Sequence, residues 1–111
     1  MATKNYKVLA QSSPAATTST AAYTVGAGKQ SVISTLTVCN RAATSATYRI
    51  AVRPTGEALA DKHYVTYDAS VPANDTIALT LGITLDSTDV LNVYASSASV
   101  SFNLFGSEIT L

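Results

Sequence analysis

The sequence predicts an all-β protein, a two-layer antiparallel β-sandwich of about eight strands. Short runs that alternate apolar and polar residues, rich in Val, Ile, Thr and Tyr, recur along the chain and are typical of half-buried strands. Turn residues separate these runs at nearly regular spacing, as they do in sandwiches. Charged residues make up only 13% of the chain, about half of the usual share, so few are available for the exposed faces of long helices. At 111 residues, the chain (1–111) forms one domain with a single core.

The two clearest strands lie on either side of a polar linker at 40–45. In the second of them, Tyr48, Ile50 and Val52 fall on one face, which we predict to be the core face, and two arginines fall on the other. A shift by one residue would bury those arginines, so the register is strongly fixed. The linker is long enough either for a hairpin loop or for a crossing to a second sheet.

Six further strands are predicted on the same grounds. They are 6–10, 21–25, 63–68, 77–85, 90–95 and 100–104. The residues VPAND at 71–75 and DSTD at 86–89 provide turns between strands. Gly82 interrupts the fourth of these strands and indicates a bulge or a corner. Residues 57–62 form a polar bridge with room for one short helical turn.

The strand pattern fits two known arrangements, jelly-roll-like and immunoglobulin-like. The chain contains no tryptophan and one cysteine, so it lacks the buried tryptophan and the paired cysteines of an antibody domain. We therefore prefer the jelly-roll-like arrangement, with the immunoglobulin-like one as the alternative.

No residue is predicted to have a catalytic, cofactor-binding or metal-binding role, and we expect no enzymatic activity. His63 is the single histidine and has no nucleophile motif nearby, so we expect a structural or surface side chain. Asp86 and Asp89 bracket a turn and are predicted to cap backbone amides, because alone they offer too few oxygens for calcium. Cys39 lies in a strand among apolar neighbours and is predicted to be buried.

The charges of this chain are few and unevenly distributed. The chain has only seven basic and seven acidic residues, so its surface must be rich in Ser, Thr and Ala. A surface of this kind favours a subunit of an assembly. Six of the basic residues precede Pro54, whereas all seven acids follow it with Lys62 as the only base. If the fold places these halves on different faces, copies could contact head to tail or dock on an acidic partner. If it interleaves the strands, the charges mix.

We expect an assembly interface among these charged residues and in a short polar N-terminal segment at about 1–5. That segment is too polar to fold alone, which suits ordering by a partner. Arg41, on the linker between the two clearest strands, is expected to be free to reach an acidic surface. The expected interface residues are Lys4, Tyr6, Lys7, Arg41, Arg49, Arg53, Asp86 and Asp89.

Neither a secretory leader nor a membrane span is predicted. The first ten residues contain no apolar run of the length that a signal peptide needs. No stretch approaches the roughly twenty apolar residues of a membrane helix. We therefore expect a protein that is made in a cytoplasm and is either soluble or bound to a particle.

The chain contains the strings STLTVCNR, YRIAVRP, ADKHYVTYD, NDTIALTLGITL and VYASSASVSFNLFGSEI. From about residue 6 to residue 110, the sequence with these strings resembles small virion structural proteins of tailed bacteriophages, including phages of cyanobacteria. It implies a non-enzymatic capsid cement or decoration protein without a cofactor, located on the exterior of the virion after synthesis in the host cytoplasm. The implied partners are the major capsid protein and copies of the chain itself, commonly as a trimer, with no nucleic acid and no membrane.

The alternative is a neck, tail, baseplate or fibre component that acts as a binding module for assembly or for the host surface, since such parts use similar sandwiches. Carbohydrate sites usually combine an exposed aromatic ring with Asp and Asn. The six tyrosines of this chain fall mostly on alternating strand positions, where packing in the core or on a sheet face is expected. Copy number per virion distinguishes the two roles, because a shell component is far more abundant than a tail component.

Overall fold

Across residues 3–111, the part of the chain that this computed structural model describes, nine β-strands and two short 3₁₀ turns are formed. The strands are β1 (Thr3–Ser12), β2 (Thr20–Thr24), β3 (Lys29–Asn40), β4 (Ala46–Arg53), β5 (Tyr64–Val71), β6 (Asp75–Leu79), β7 (Ile83–Leu85), β8 (Val90–Ala95) and β9 (Val100–Thr110). The 3₁₀ turns, Pro54–Gly56 and Asp61–His63, connect β4 to β5 where a single helical turn was predicted.

The strands form two antiparallel sheets that pack face to face. Sheet A has the order β1-β9-β3-β6, with β7 also paired to β3, and sheet B has the order β2-β8-β4-β5. β1 therefore pairs with β9, β2 with β8, β3 with β6, and β4 with β5, so that each early strand lies beside a late one. This is a jelly roll, an antiparallel ribbon of paired strands rolled into two sheets. The predicted all-β sandwich is confirmed, and the connectivity is jelly-roll-like rather than immunoglobulin-like.

The linker between β3 and β4 crosses from one sheet to the other. β3 belongs to sheet A and β4 to sheet B, and the two strands do not pair with each other. Of the two alternatives that the sequence left open, the crossing is correct and the hairpin is wrong. Each of these strands instead lies in the middle of its own sheet, because the ribbon brings a strand from the second half of the chain to either side of it.

The core lies between the inner faces of the two sheets. The largest buried side chains include Phe102 and Leu104 of β9 and Ile50 of β4, none of which has any exposed surface. Tyr48 is also buried and its ring meets Phe102 edge to face, with 6.4 Å between the centroids. Arg49 points away from the core, so the face assignment and register predicted for β4 are confirmed.

A β-bulge in β3 changes which residues face the core. The register against β9 shifts between Ile33 and Thr35, so inward-facing positions are odd-numbered before the bulge and even-numbered after it. Val32 is consequently only half-buried, on the outer face. Cys39 is half-buried as well, and the prediction that it is buried was wrong, because Val38 and Asn40 occupy the inner face there.

The strand predicted at 77–85 is divided into β6 and β7, which both pair with β3. Gly82 lies in the interruption with φ +61°, a conformation that suits glycine and confirms the predicted corner. Leu81 is exposed at this corner, although regular alternation with Leu79 and Ile83 would place it on their side of the strand. Counting β6 and β7 as one interrupted strand gives the eight strands of a jelly roll.

The N-terminal segment forms part of a strand from Thr3 onwards. β1 pairs with β9 along its whole length, and Lys4 lies opposite Ile109. The expectation that residues 1–5 are ordered only by a partner was therefore wrong for residues 3–5, because backbone pairing to β9 orders them. Met1 and Ala2 lie outside the described residues.

Candidate functional site: the two outer faces of the sandwich

The outer face of sheet A, here called face A, is almost free of charge. Its strand residues, identified by alternation with the buried positions and by register, are Lys4, Tyr6, Val8 and Gln11 of β1, Ser101, Asn103, Phe105, Ser107 and Ile109 of β9, Gln30, Val32, Thr35, Thr37 and Cys39 of β3, Thr76 and Ala78 of β6, and Thr84 of β7. Lys4 is the only charged member of this set. Face A thus presents hydroxyl, amide and apolar groups across four neighbouring strand positions, which are occupied by β1, β9, β3 and the interrupted strand β6/β7.

An exposed apolar patch lies at one end of face A. Tyr6 is 81% exposed, and Val8 lies directly opposite Phe105, with exposures of 49% and 37%. Lys4 places its ammonium group 5.9 Å from the centroid of the Tyr6 ring. Apolar side chains clustered on a surface mark interaction sites more often than scattered ones do.

A small ionic cluster lies at the same end of the sheet, on its other side. Lys7 Nζ lies 3.1 Å from Glu108 Oε1, and Lys29 Nζ lies 3.5 Å from the same oxygen. The hydrogen bond from Lys7 holds the pKa of Glu108 below its ordinary value, with a smaller contribution from the charge of Lys29. Lys7, predicted to contact a partner, is therefore paired within the chain.

The basic and acidic halves of the sequence are brought together by the topology. Arg49 pairs with Asp68 across neighbouring strands, as Lys7 and Lys29 do with Glu108. Because the ribbon pairs each early strand with a late one, basic strands lie beside acidic ones. The alternative in which the charges mix is therefore correct, and separate basic and acidic faces do not form.

Two of the predicted interface arginines are held by the fold. Arg53 donates from Nε to Asn92 Oδ1 at 3.0 Å and from Nη1 to the carbonyl oxygen of Glu57 at 3.1 Å, which braces the connection after β4. Arg41 is exposed, yet its Nη2 lies 3.3 Å from Ser13 Oγ. Among residues 3–111, Arg41 makes no ion pair.

Asp86 and Asp89 serve as turn caps, as predicted. Asp89 accepts hydrogen bonds from the backbone N–H groups of Asp86, at 2.8 Å, and Thr55, at 2.9 Å. Asp86 accepts from the N–H of Ser87 at 2.8 Å and from Gln30 Nε2 at 3.1 Å, and these two bonds lower its pKa. In the described part of the chain, no three His, Cys, Asp or Glu side chains are grouped so that they could hold a metal ion.

His63 is buried beside the second 3₁₀ turn, in a structural position. Its Nδ1 accepts a hydrogen bond from the backbone N–H of Ala60 at 3.0 Å, and its Nε2 lies 3.2 Å from Glu57 Oε1. The side chain thereby fixes the polar bridge that connects β4 to β5 within sheet B, which agrees with the structural role predicted for it.

The outer face of sheet B, here called face B, carries a cluster of tyrosines around one arginine. The guanidinium carbon of Arg49 lies 4.2 Å from the ring centroids of both Tyr67 and Tyr94. Arg49 also binds Asp68 through two hydrogen bonds, of 2.6 Å from Nε and 3.3 Å from Nη2, and this pairing raises its pKa. Arg49 was predicted to contact a partner, but here its charge is neutralised within the face.

Tyr64 and Tyr67 form two walls of an open pocket at the edge of face B. Their rings stand at 82° to each other with 4.9 Å between the centroids, and Asp61 provides a third wall. Tyr67 remains 58% exposed. Most tyrosines were predicted to pack in the core or on a sheet face; Tyr48 packs in the core, and Tyr67 lies on an outer sheet face with most of its surface exposed.

The alternation of residues hid this cluster because β5 is irregular. Tyr64 and Tyr67 are three residues apart and would lie on opposite faces of a regular strand. The register against β4 shifts twice in this region, and Asp68 has φ +52°, so both rings reach face B. The string YVTYD offered one signal, an aromatic pair next to a carboxylate.

The fold is similar to chains from two structures of infectious bursal disease virus. The Gx strain chain aligns with a TM-score of 0.55 at 12% identity, covering 98% of this chain and 32% of that chain. The Gt strain chain aligns with a TM-score of 0.51 at 10% identity, covering 97% of this chain and 31% of that chain. This protein therefore spans about a third of the chains that it matches, and the likeness shows a shared fold.

No protein-family model and no curated protein matches the sequence. Within residues 3–111, no helix has the length and apolar character to cross a membrane.

Proposed function

We propose that this chain is a non-enzymatic virion structural protein that docks on the capsid through face A, as a cement or decoration protein. The observation that carries the proposal is the near absence of charge on face A. Moving a charged group out of water is expensive unless it is paired, whereas Thr, Ser and Asn side chains can exchange water for hydrogen bonds with a partner. The jelly roll, the likeness to chains of virus structures and the resemblance to phage virion proteins support the same role.

The size of face A suits a stable protein contact. Four strand positions about 4.8 Å apart and strands of about ten residues at about 3.3 Å per residue give a surface of roughly 600 Å². A standard protein interface buries about 800 Å² on each partner, so face A with its apolar patch provides most of such an area. The partner in this proposal is the major capsid protein on the exterior of the particle.

Copies of the chain are also partners in this proposal, with a trimer as the expected oligomer. Symmetric copies that each make one contact with the shell gain affinity through multivalency, so individually weak contacts suffice for stable attachment. Light scattering of the purified protein measures the oligomer directly. A protein that remains monomeric at all concentrations contradicts the self-association part and leaves docking through face A open to the following test.

The docking proposal is tested by placing one carboxylate on each outer face. Thr37 of β3 and Thr47 of β4 are both half-buried threonines on outward-facing positions, one on face A and the other on face B. Thr37→Glu should lower the retention of the protein on purified particles at least about tenfold, which corresponds to about 1.4 kcal/mol of docking free energy. Thr47→Glu should be retained like the unmodified protein. Equal retention of both variants, or loss of Thr47→Glu alone, contradicts docking through face A.

A second candidate function is a neck, tail, baseplate or fibre module, and the observation that favours it is the exposed tyrosine cluster on face B. Such a module would use Tyr67 and its neighbours against a host or tail surface. Particles carrying Tyr67→Ala would then keep intact heads and lose adsorption to cells. Normal adsorption together with loss of Thr37→Glu from heads favours the capsid role.

A further inference from the structure

The tyrosine cluster on face B is rigid although it is exposed. Arg49 is fixed by two hydrogen bonds to Asp68 and contacts the Tyr67 ring, and Tyr64 meets the same ring edge to face. Tyr67 is therefore held by neighbours on more than one side while 58% of it remains exposed. A side chain that is ordered before binding loses little conformational entropy when a ligand arrives.

The pocket beside this ring combines apolar walls with a hydrogen-bond acceptor. Its volume is about 310 Å³, which lies at the lower end of the range for small-ligand sites. The carboxylate of Asp61 makes no hydrogen bond to any residue in 3–111, so both of its oxygens can accept from a ligand. The walls are the Tyr64 and Tyr67 rings, whose hydroxyl groups add polar tips.

We propose that this pocket binds one neutral pyranose residue of an oligosaccharide. A pyranose has a face of C–H groups that packs against an aromatic ring and an edge of hydroxyl groups that donate to a carboxylate. The Tyr64 and Tyr67 walls match the first feature and Asp61 matches the second. A neutral sugar is favoured over an acidic one because Asp61 would repel a negative charge, while Arg49 is already paired with Asp68.

The proposal is independent of docking through face A, since the two faces lie on opposite sides of the sandwich. If face A is docked on a shell, face B points towards the medium, where a glycan can reach it. An experiment that refutes docking through face A therefore does not refute sugar binding on face B, and the reverse also holds, because each has its own test.

The test is a titration of the ¹⁵N-labelled full chain with three neutral trisaccharides: cellotriose, maltotriose and triacetylchitotriose. At least one should cause saturable shifts of the amide signals of residues 61–68, with a dissociation constant on the order of 1 mM. Tyr67→Ala should weaken that binding at least about tenfold. Tyr67→Phe, which keeps the ring, should bind within about threefold of the unmodified protein, and Asp61→Asn should weaken binding without a change in thermal stability.

Tyr6→Ala is the matched control, because Tyr6 is the other strongly exposed tyrosine and lies on face A. It should leave trisaccharide binding unchanged. The absence of saturable shifts with all three trisaccharides up to about 20 mM overturns the proposal. Unchanged binding by a folded Tyr67→Ala variant also overturns it. If Tyr67→Ala is lost from particles while no trisaccharide binds, the cluster is a protein contact and the sugar site is refuted.

Discussion

Replacement of Gly106 by alanine probes the close contact between the backbones of β9 and β3 in sheet A. Gly106 lies in β9 opposite Ile33, next to the bulge of β3. A Cβ atom at this position would lie 1.9 Å from the carbonyl oxygen of Val32 and 2.9 Å from its carbonyl carbon. Both atoms belong to the backbone, so no side chain can rotate away, and β9 must move by roughly 1 Å to restore normal contact distances.

The expected loss of stability is large for a single methyl group. Overpacking of this kind costs about 1–3 kcal/mol, and displacement of β9 weakens one or two ladder hydrogen bonds at about 1 kcal/mol each. We therefore expect Gly106→Ala to lower the free energy of unfolding by about 2–5 kcal/mol, which lowers Tm by roughly 8–20 °C in a domain of this size. Thermal unfolding followed by circular dichroism measures this shift.

Gly26→Ala is the matched control for the same chemical change. A Cβ atom at Gly26 would have its nearest neighbour at 3.5 Å, on the flexible side chain of Lys29. Its Tm should stay the same or rise slightly, because alanine restricts the unfolded chain. If Gly106→Ala unfolds at the same temperature as Gly26→Ala, β9 does not pack against the β3 bulge and the strand register of sheet A is refuted.

Three further predictions concern the core and the ionic cluster. Ile50→Asp places an unpaired carboxylate in the core and should abolish soluble folded protein, whereas Arg49→Ser on the opposite face should still fold. Soluble yield and the circular dichroism signal measure folding, and equal losses for both variants would contradict the assigned faces. Phe102→Ala removes a fully buried ring and should lower the free energy of unfolding in urea by about 3–5 kcal/mol, and a loss below about 1 kcal/mol would place that ring outside the core. The hydrogen bond from Lys7 lowers the pKa of Glu108, so its stabilising contribution is complete above the ordinary carboxyl pKa of about 4.3 and is lost as the pH falls through the lowered value. Glu108→Gln should therefore flatten the decline of Tm below about pH 4.3, and an unchanged pH profile would show that the bond is absent.

Strands with regular alternation were predictable from the sequence because their faces follow directly from the period of two. β4 buries Ile50 and turns Arg49 to the outer face as predicted, and the alternation of β9 places Phe102 in the core. The prediction failed where a bulge inserts one residue, as at Ser34, because a bulge is set by the partner strand as much as by its own residues. Regular alternation across this bulge would place Val32 on the same face as Leu36, whereas Val32 lies on the outer face. Cys39 was predicted to be buried because its neighbours are apolar, and it also lies on the outer face.

The uneven distribution of charge along the chain is compatible with two arrangements of the charges in space. A chain with a basic first half and an acidic second half can place opposite charges side by side if it folds as a ribbon whose halves pair. Lys7 and Glu108, 101 residues apart, meet in this way. Strand pairing over such distances is not visible in local patterns, so the sequence left mixing and segregation of charge equally open.

Neither candidate site could be found from the sequence alone. Face A is defined by the near absence of charge on one side of four neighbouring strands, which becomes visible only when the order of the strands is known. The pocket on face B depends on two register shifts in β5 that turn Tyr64 and Tyr67 to the same side. All of the residues expected to bind a partner except Tyr6 are charged, and Lys7, Arg49 and Arg53 among them are paired within the fold.

The most direct test of docking through face A uses Cys39, the single cysteine, as a probe on that face. Labelling with N-ethylmaleimide is measured by mass spectrometry for the free protein and for purified particles. The control is the thiol introduced by Thr47→Cys, on face B, in a Cys39→Ser background. We predict that Cys39 reacts in the free protein and reacts at least about tenfold more slowly on the particle, while the control thiol reacts at the same rate in both. Docking through face A would be contradicted if Cys39 reacted at the same rate in the free protein and on the particle while the control thiol on face B became protected on the particle.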